Sequence, residues 1–142
     1  MAARSLNVVP ITAPVHSDVE IETAIIALGR EARGGLVVVP DVFTEVHRVP
    51  IILAAARNKL PAVYFSSNFV RDGGLLSYGV DLVESSHRAA AYVDRILRGA
   101  KPAELRVQLP TRFEMAVNLK TAKALGLTGP QSILLRTDEV IE

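Results

Sequence analysis

Six residues in this chain have types and positions that could serve a ligand: Asp41 and Phe43, then Ser66, Ser67 and Asn68, then Tyr78. Each group ends or directly follows an apolar run that reads as a β-strand: LVVV at 36–39, PAVYFS at 61–66 and LLSY at 75–78. In open α/β sheets, ligands bind outside the carboxyl ends of the strands. A carboxylate, two hydroxyls, an amide and two aromatic rings suit a small polar molecule with an organic body. Each group also has a plain structural reading. Asp41 can cap the helix that follows it, Ser66–Asn68 can be turn residues, and Tyr78 can be a packed ring. Asp81, close by, reads as a helix cap.

Bond-making chemistry has no comparable candidates. There is no G-x-S-x-G, H-E-x-x-H, glycine-rich phosphate loop or paired-cysteine motif, and there is no cysteine at all. His16, His47 and His87 are scattered, the last two among charged residues of expected helices. Ser85 and Ser86 fall in the first turns of a helix, and a serine nucleophile needs a partnered base. No catalytic residue, metal ligand set or cofactor is expected, so the chain reads as a binding module and not an enzyme.

The elements that would position the six residues follow from the pattern. The chain has 142 residues, 49% hydrophobic and 22% charged, which fits one ordinary globular unit. Sixteen basic and fifteen acidic residues are well mixed, giving net +1, so nucleic acid is not an expected partner. No apolar run approaches the ~20 residues that span a bilayer, and MAARSLNVVPITAP lacks the apolar stretch of a signal peptide.

Leu6–Ile11 reads as a strand. Ser17 with Glu20 forms a capping box, followed by Ile21, Ala24, Ile25, Leu28 and Ala32 at helical spacing up to Gly34. The unbroken run Leu36–Val39 suggests a strand buried on both faces, as in a parallel sheet. A helix containing Ile51, Ile52, Ala54 and Ala55 follows, beginning near Val49 because Pro50 cannot sit deep inside it. After residues 61–66 and 75–78 comes a second capping box, Asp81 with Glu84. It starts a helix to Gly99 whose stripe is Ala89, Ala90, Val93, Ile96 and Leu97. Leu105–Leu109 and Glu114–Val117 read as strands, Asn118 as the cap of a helix to Leu125, and Ile133–Val140 as a final helical stretch. This alternation predicts an α/β fold with a Rossmann-like, mostly parallel sheet in which Leu36–Val39 and Ala62–Phe65 are adjacent central strands.

Several of these segments carry a resemblance. SYGVD, the helix ending RILRGAKPAELRVQLP, the strand–helix words FEMAVNLKTAKALGL, and LVVVPDVF resemble the C-terminal half of ABC transporter substrate-binding proteins of the tryptophan/tyrosine type, with a type I periplasmic-binding fold. The likeness extends more loosely back to about Ser5. Arg106, Val80 and Pro50 depart from the family pattern. The resemblance implies a partial type I periplasmic binding protein. Residues 5–74 would be a second lobe without its first strand and helix. Residues 75–142 would be the crossover strand, its helix and the C-terminal strand–helix segment.

It implies, further, a solute-binding component of an ABC importer that takes up a small organic molecule such as an amino acid or carboxylate. The partners would be that solute and a membrane permease. The location would be the periplasm, or the cytoplasm if Met1 is the true start. A sensor domain of a regulatory protein is an alternative, disfavoured by the lack of a helix-turn-helix or basic segment; a truncated remnant without function is another. The helix after Asp81 would expose its apolar stripe where a first lobe is expected, so a homodimer of the fragment is an expected partner state.

Overall fold

The computed structural model describes residues 7–31 and 33–142. Its helices and strands follow in the order α1 (Asp18–Gly29), β1 (Leu36–Val37), α2 (Val42–Val46), α3 (Arg48–Arg57), β2 (Ala62–Tyr64), α4 (Ser67–Arg71), β3 (Leu76–Val80), α5 (Leu82–Leu97), β4 (Phe113–Asn118), α6 (Leu119–Ala124), α7 (Gln131–Leu134) and β5 (Glu139–Ile141). The five strands form one sheet in sequence order. β1, β2 and β3 run parallel, β4 is antiparallel to β3, and β5 is parallel to β4. The expected α/β class with a mostly parallel sheet is what forms.

Local chemistry fixes the helix starts. Ser17 Oγ accepts from the Glu20 backbone N–H at 3.3 Å, while Glu20 reaches back to the N–H of His16 rather than of Ser17. Asp81 Oδ1 accepts from the Glu84 N–H at 2.9 Å, and Asn118 Oδ1 from the Thr121 N–H at 3.1 Å. Pro50 falls in the first turn of α3, where its missing donor costs nothing, so the helix starts at Arg48, one residue before Val49. The main apolar cluster lies on one face of the sheet, while Val117, on the other face, is also buried. Ile21 and Ile25 of α1 and Ile51, Ile52 and Ala55 of α3 pack on Ala62, Tyr64 and Phe69.

Four expectations need correction. The run Leu36–Val39 is paired with β2, but only Leu36–Val37 forms the strand. It is the outermost strand among the described residues, and Val37 is 71% exposed. No described helix covers that face, so the run is buried on one side only. Residues 7–11 are not a strand: Asn7 has a φ of 56° and Val9 and Ile11 are exposed, with no neighbouring strand to pair with. Leu6 and Ala32 lie outside the described residues.

Leu105–Leu109 is likewise not a strand; it is a strap laid along α5. Arg88 Nη1 donates to Thr111 Oγ1 at 2.7 Å, and the Tyr92 hydroxyl donates to the Arg106 carbonyl. These bonds to α5 take the place of a ladder. The stretch Ile133–Val140 divides into the short α7 and the strand β5. Asp138 makes the division. Its N–H donates to the Met115 carbonyl at 2.9 Å and its Oδ2 accepts from the Met115 N–H at 2.8 Å, which locks the chain alongside β4. Apolar spacing alone did not carry that long-range pairing.

Candidate functional site

The loops after β1 and β2 meet at the carboxyl end of the parallel strands. Asp41, extended at φ −159°, caps α2: its Oδ1 accepts from the Phe43 N–H at 2.7 Å. The exposed carboxylate keeps its other oxygen outside this bond. Phe43 stacks on His47, with ring centroids 4.0 Å apart, and leans on the core. His47 was expected on a solvated helical surface. It is instead half-buried at the junction of α2 and α3, its Nδ1 2.8 Å from the Phe43 carbonyl.

Ser66 caps α4 by accepting from the Asn68 N–H at 3.3 Å. Ser67 is buried, and its hydroxyl donates to Glu114 Oε1 at 3.0 Å. Asn68 is exposed and joins the two loops: its Nδ2 donates to Glu45 Oε1 at 3.4 Å. Tyr78 stands near this end of the sheet, since Ser77 pairs with Tyr64 in the register. Its ring is 53% exposed and stacks on Phe113 of the adjacent strand at 5.6 Å. Successive strand residues alternate between faces. Tyr78 therefore projects from the side of the sheet opposite the buried Ser77.

Charged residues that the sequence did not single out complete this end of the sheet. Arg48 donates to Asp72 at 2.6 Å and lies 3.6 Å from Glu45. Arg71 makes a two-pronged contact to Glu139, at 3.0 and 2.7 Å, and also reaches Asn68. The pair Glu45 and Arg48, three apart on consecutive helical segments, had a local signal. Arg71 and Glu139, 68 positions apart, had none. Glu45 Oε2 and Ser77 Oγ are buried and have no hydrogen-bond partner among the described residues. Among the described residues, no group of His, Asp and Glu is placed to hold a metal ion. A separate groove of about 110 Å³ lies between α5 and the strap, lined by Arg88, Ala91, Tyr92, Arg95 and Gln108, none of them among the six candidates.

The hydrogen bonds from Arg71 hold the Glu139 carboxyl below its ordinary range, against partial burial, which acts the other way. A lowered folded value contributes stability that is present above the unfolded value of about 4.3 and is lost as pH falls through the folded one. Both side chains remain partly exposed, so the pair contributes no more than about 1 kcal/mol. Glu139→Gln is therefore expected to be slightly less stable than wild type at neutral pH and to converge with it in acid. Urea unfolding at several pH values measures this.

The sequence profile described as ABC transporter substrate binding protein matches residues 1–141. The chain belongs to the ABC transporter substrate-binding protein family. Solved structures place this family member's fold. A conserved domain protein from Vibrio cholerae O1 biovar El Tor superposes with a TM-score of 0.86 at 24% identity, over 98% of this chain and 47% of that one. An ABC domain from Streptococcus pneumoniae in complex with L-Trp gives 0.86 at 24% identity, over 98% and 48%. A ligand-free, open substrate-binding protein with adhesive properties from Clostridium difficile gives 0.69 at 19% identity, over 99% and 46%. This substrate-binding family member thus spans about half the length of the solved structures it matches. Among curated proteins, none matches the sequence.

Proposed function

We propose that this chain is the solute-contacting half of a binding protein for an ABC importer. It captures a small organic molecule, an amino acid or other small carboxylate, and passes it to a membrane permease on the periplasmic or extracellular side. It performs no catalysis. Residues 5–74 act as part of the second lobe, and residues 75–142 as the crossover, helix and closing segment. Capture is coupled to closure of the lobes about the crossing strands.

The observation that carries this reading is the meeting of the Asp41 and Ser66–Asn68 loops at the carboxyl end of a parallel sheet, in a chain of the substrate-binding family. The L-Trp in the pneumococcal neighbour supports an amino acid as the solute class. Asp41, Phe43, Ser66, Asn68 and Tyr78 form the solute-facing edge, with the buried Ser67 directly behind it. Asp41 and Asn68 supply polar contacts, Phe43 and Tyr78 supply ring surface, and Ser66 and Ser67 hold the loop in shape.

Tyr78 is the most exposed ring of the set, and its truncation removes contact surface without opening the core. In the two-lobed protein, Tyr78→Ala should weaken solute binding about tenfold, the equivalent of roughly 1.4 kcal/mol, while loss of the stack on Phe113 lowers the urea midpoint only slightly. Unchanged affinity by calorimetry would remove Tyr78 from the site.

A further inference from the structure

Glu114, on β4, is not among the six candidates, yet it reaches the loop that carries three of them. Its Oε1 accepts from the Ser67 hydroxyl at 3.0 Å, a bond that spans 47 positions. Ser67 is 8% exposed and stands between Ser66 and Asn68, the two solute-facing residues of that loop. Leaving a buried hydroxyl without a partner is unfavourable, so the bond holds Ser67 in place.

The helix that Ser67 opens, α4, is held unevenly. Its far end is fixed by the core: Phe69 and Val70 are fully buried, and Asn118 Nδ2 donates to the Val70 carbonyl at 3.2 Å. Just beyond, the Thr121 hydroxyl donates to the Gly73 carbonyl at 2.8 Å. The near end, at the solute-facing edge, is tied more loosely. The Asn68 amide bonds are long, 3.4 Å to Glu45 and 3.5 Å from Arg71. Ser66 Oγ accepts within its own cap. The short side-chain bond from this end to the sheet is that of Ser67 to Glu114.

Strand register explains the reach of Glu114. It pairs with Gly79 of β3, and directly opposed strand residues share a face. A Cβ on Gly79 would stand 1.8 Å from the Phe65 carbonyl oxygen. The bare glycine therefore lets Phe65–Ser67 lie close over β3, beside the Glu114 side chain. The Glu114 charge also acts on Arg71, although Glu139 acts on that arginine more strongly.

We propose that Glu114 is a positioning residue for solute capture: through Ser67 it fixes the height and orientation of Ser66 and Asn68. This inference rests on the reading of that edge as the solute site. Glu114 itself touches no solute. It keeps the loop in its binding conformation beforehand, so that capture does not have to order it.

Backbone relaxation of the 142-residue chain tests the anchor without any solute. Order parameters at residues 66–68 should be those of rigid backbone, about 0.85, in the native chain and should fall below about 0.6 in Glu114→Ala. Ser67→Ala should loosen the loop equally, and the double variant no further, because each removes the same bond. Glu114→Gln keeps a carbonyl acceptor and loses the charge, so it should stay close to native. Phe69 and Val70 should remain rigid in every variant, which separates release of the loop from general unfolding.

Titration of the same chains with the protein amino acids and small carboxylates, at millimolar concentration, reads the consequence. Saturating the amide shifts at Ser66 and Asn68 should need about tenfold more solute in Glu114→Ala than in the native chain or Glu114→Gln. Rigid residues 66–68 in Glu114→Ala overturn the proposal. So does a loosened loop that binds with native affinity, or Glu114→Gln as loose as Glu114→Ala, which means that charge rather than the Ser67 bond holds the loop. A native chain without shifts contradicts the solute reading instead, and the order parameters still decide the anchor.

Discussion

Replacing Gly79 with alanine is expected to cost about 3 kcal/mol or more, a large share of the roughly 5–15 kcal/mol that holds a domain together. The backbone of β3 passes directly against the Phe65 carbonyl. A Cβ on Gly79 would stand 1.8 Å from that oxygen and 2.8 Å from its carbon. Neither segment can withdraw. β3 is hydrogen-bonded between β2 and β4, and Phe65 leads from β2 straight into the Ser66 cap of α4. The substitution therefore pushes apart the two segments that carry Tyr78 and Ser66–Asn68. Gly99 provides the control. Its φ of +100° disfavours a side chain, but nothing lies within 4 Å of the position a Cβ would take. Gly99→Ala should cost only about 1 kcal/mol, the ordinary penalty of that backbone region. Urea unfolding of the two variants side by side separates them; equal losses would mean that no close approach exists at Gly79.

The second large effect concerns affinity. The chain on its own is expected to bind its solute a hundredfold or more less tightly than a two-lobed protein carrying the same residues. A binder that closes on its ligand draws contacts from both lobes, and this chain spans 47% and 48% of the two structures it superposes on best among those described above. The absence of three or four hydrogen bonds at ~1 kcal/mol each, at about 1.4 kcal/mol per decade, removes two to three decades. Calorimetry with amino acids and small carboxylates should therefore detect no micromolar binding to the 142-residue chain. A micromolar constant would make this chain a self-sufficient binder.

Local signals in the sequence proved reliable where a side chain bonds its own neighbourhood. The caps at Ser17, Asp81 and Asn118 and the apolar runs of β1 and β2 all needed only a few adjacent residues to be read. What escaped depends on partners far along the chain. Leu105–Leu109 has a strand's composition, but Arg88 and Tyr92 bind it to a helix. Ile133–Val140 has helical spacing, but Asp138 draws it onto β4. Val37 looks like a residue buried on both sides and is not, because burial depends on what covers a face rather than on the strand itself. Asp41, Phe43 and Ser66–Asn68 stood out because they follow strands, whereas Tyr78, expected at a strand's end, lies inside β3, which its pairing with β4 carries on to Val80. The arginine–carboxylate pairs that brace them, Arg48 with Asp72 and Arg71 with Glu139, were not, since no spacing rule links such distant positions.

The most direct test of the solute-binding account is a backbone amide shift map of the isolated chain, titrated with millimolar amino acids and small carboxylates. Such a map reads contacts too loose for calorimetry. The account predicts saturable shifts with at least one of these solutes, concentrated at Asp41–Phe43, Ser66–Asn68 and Tyr78, and reduced by Tyr78→Ala. Saturable shifts centred elsewhere, on α1 and α3 or in the groove beside Arg88 and Tyr92, or no shifts with any member of the panel, would contradict it.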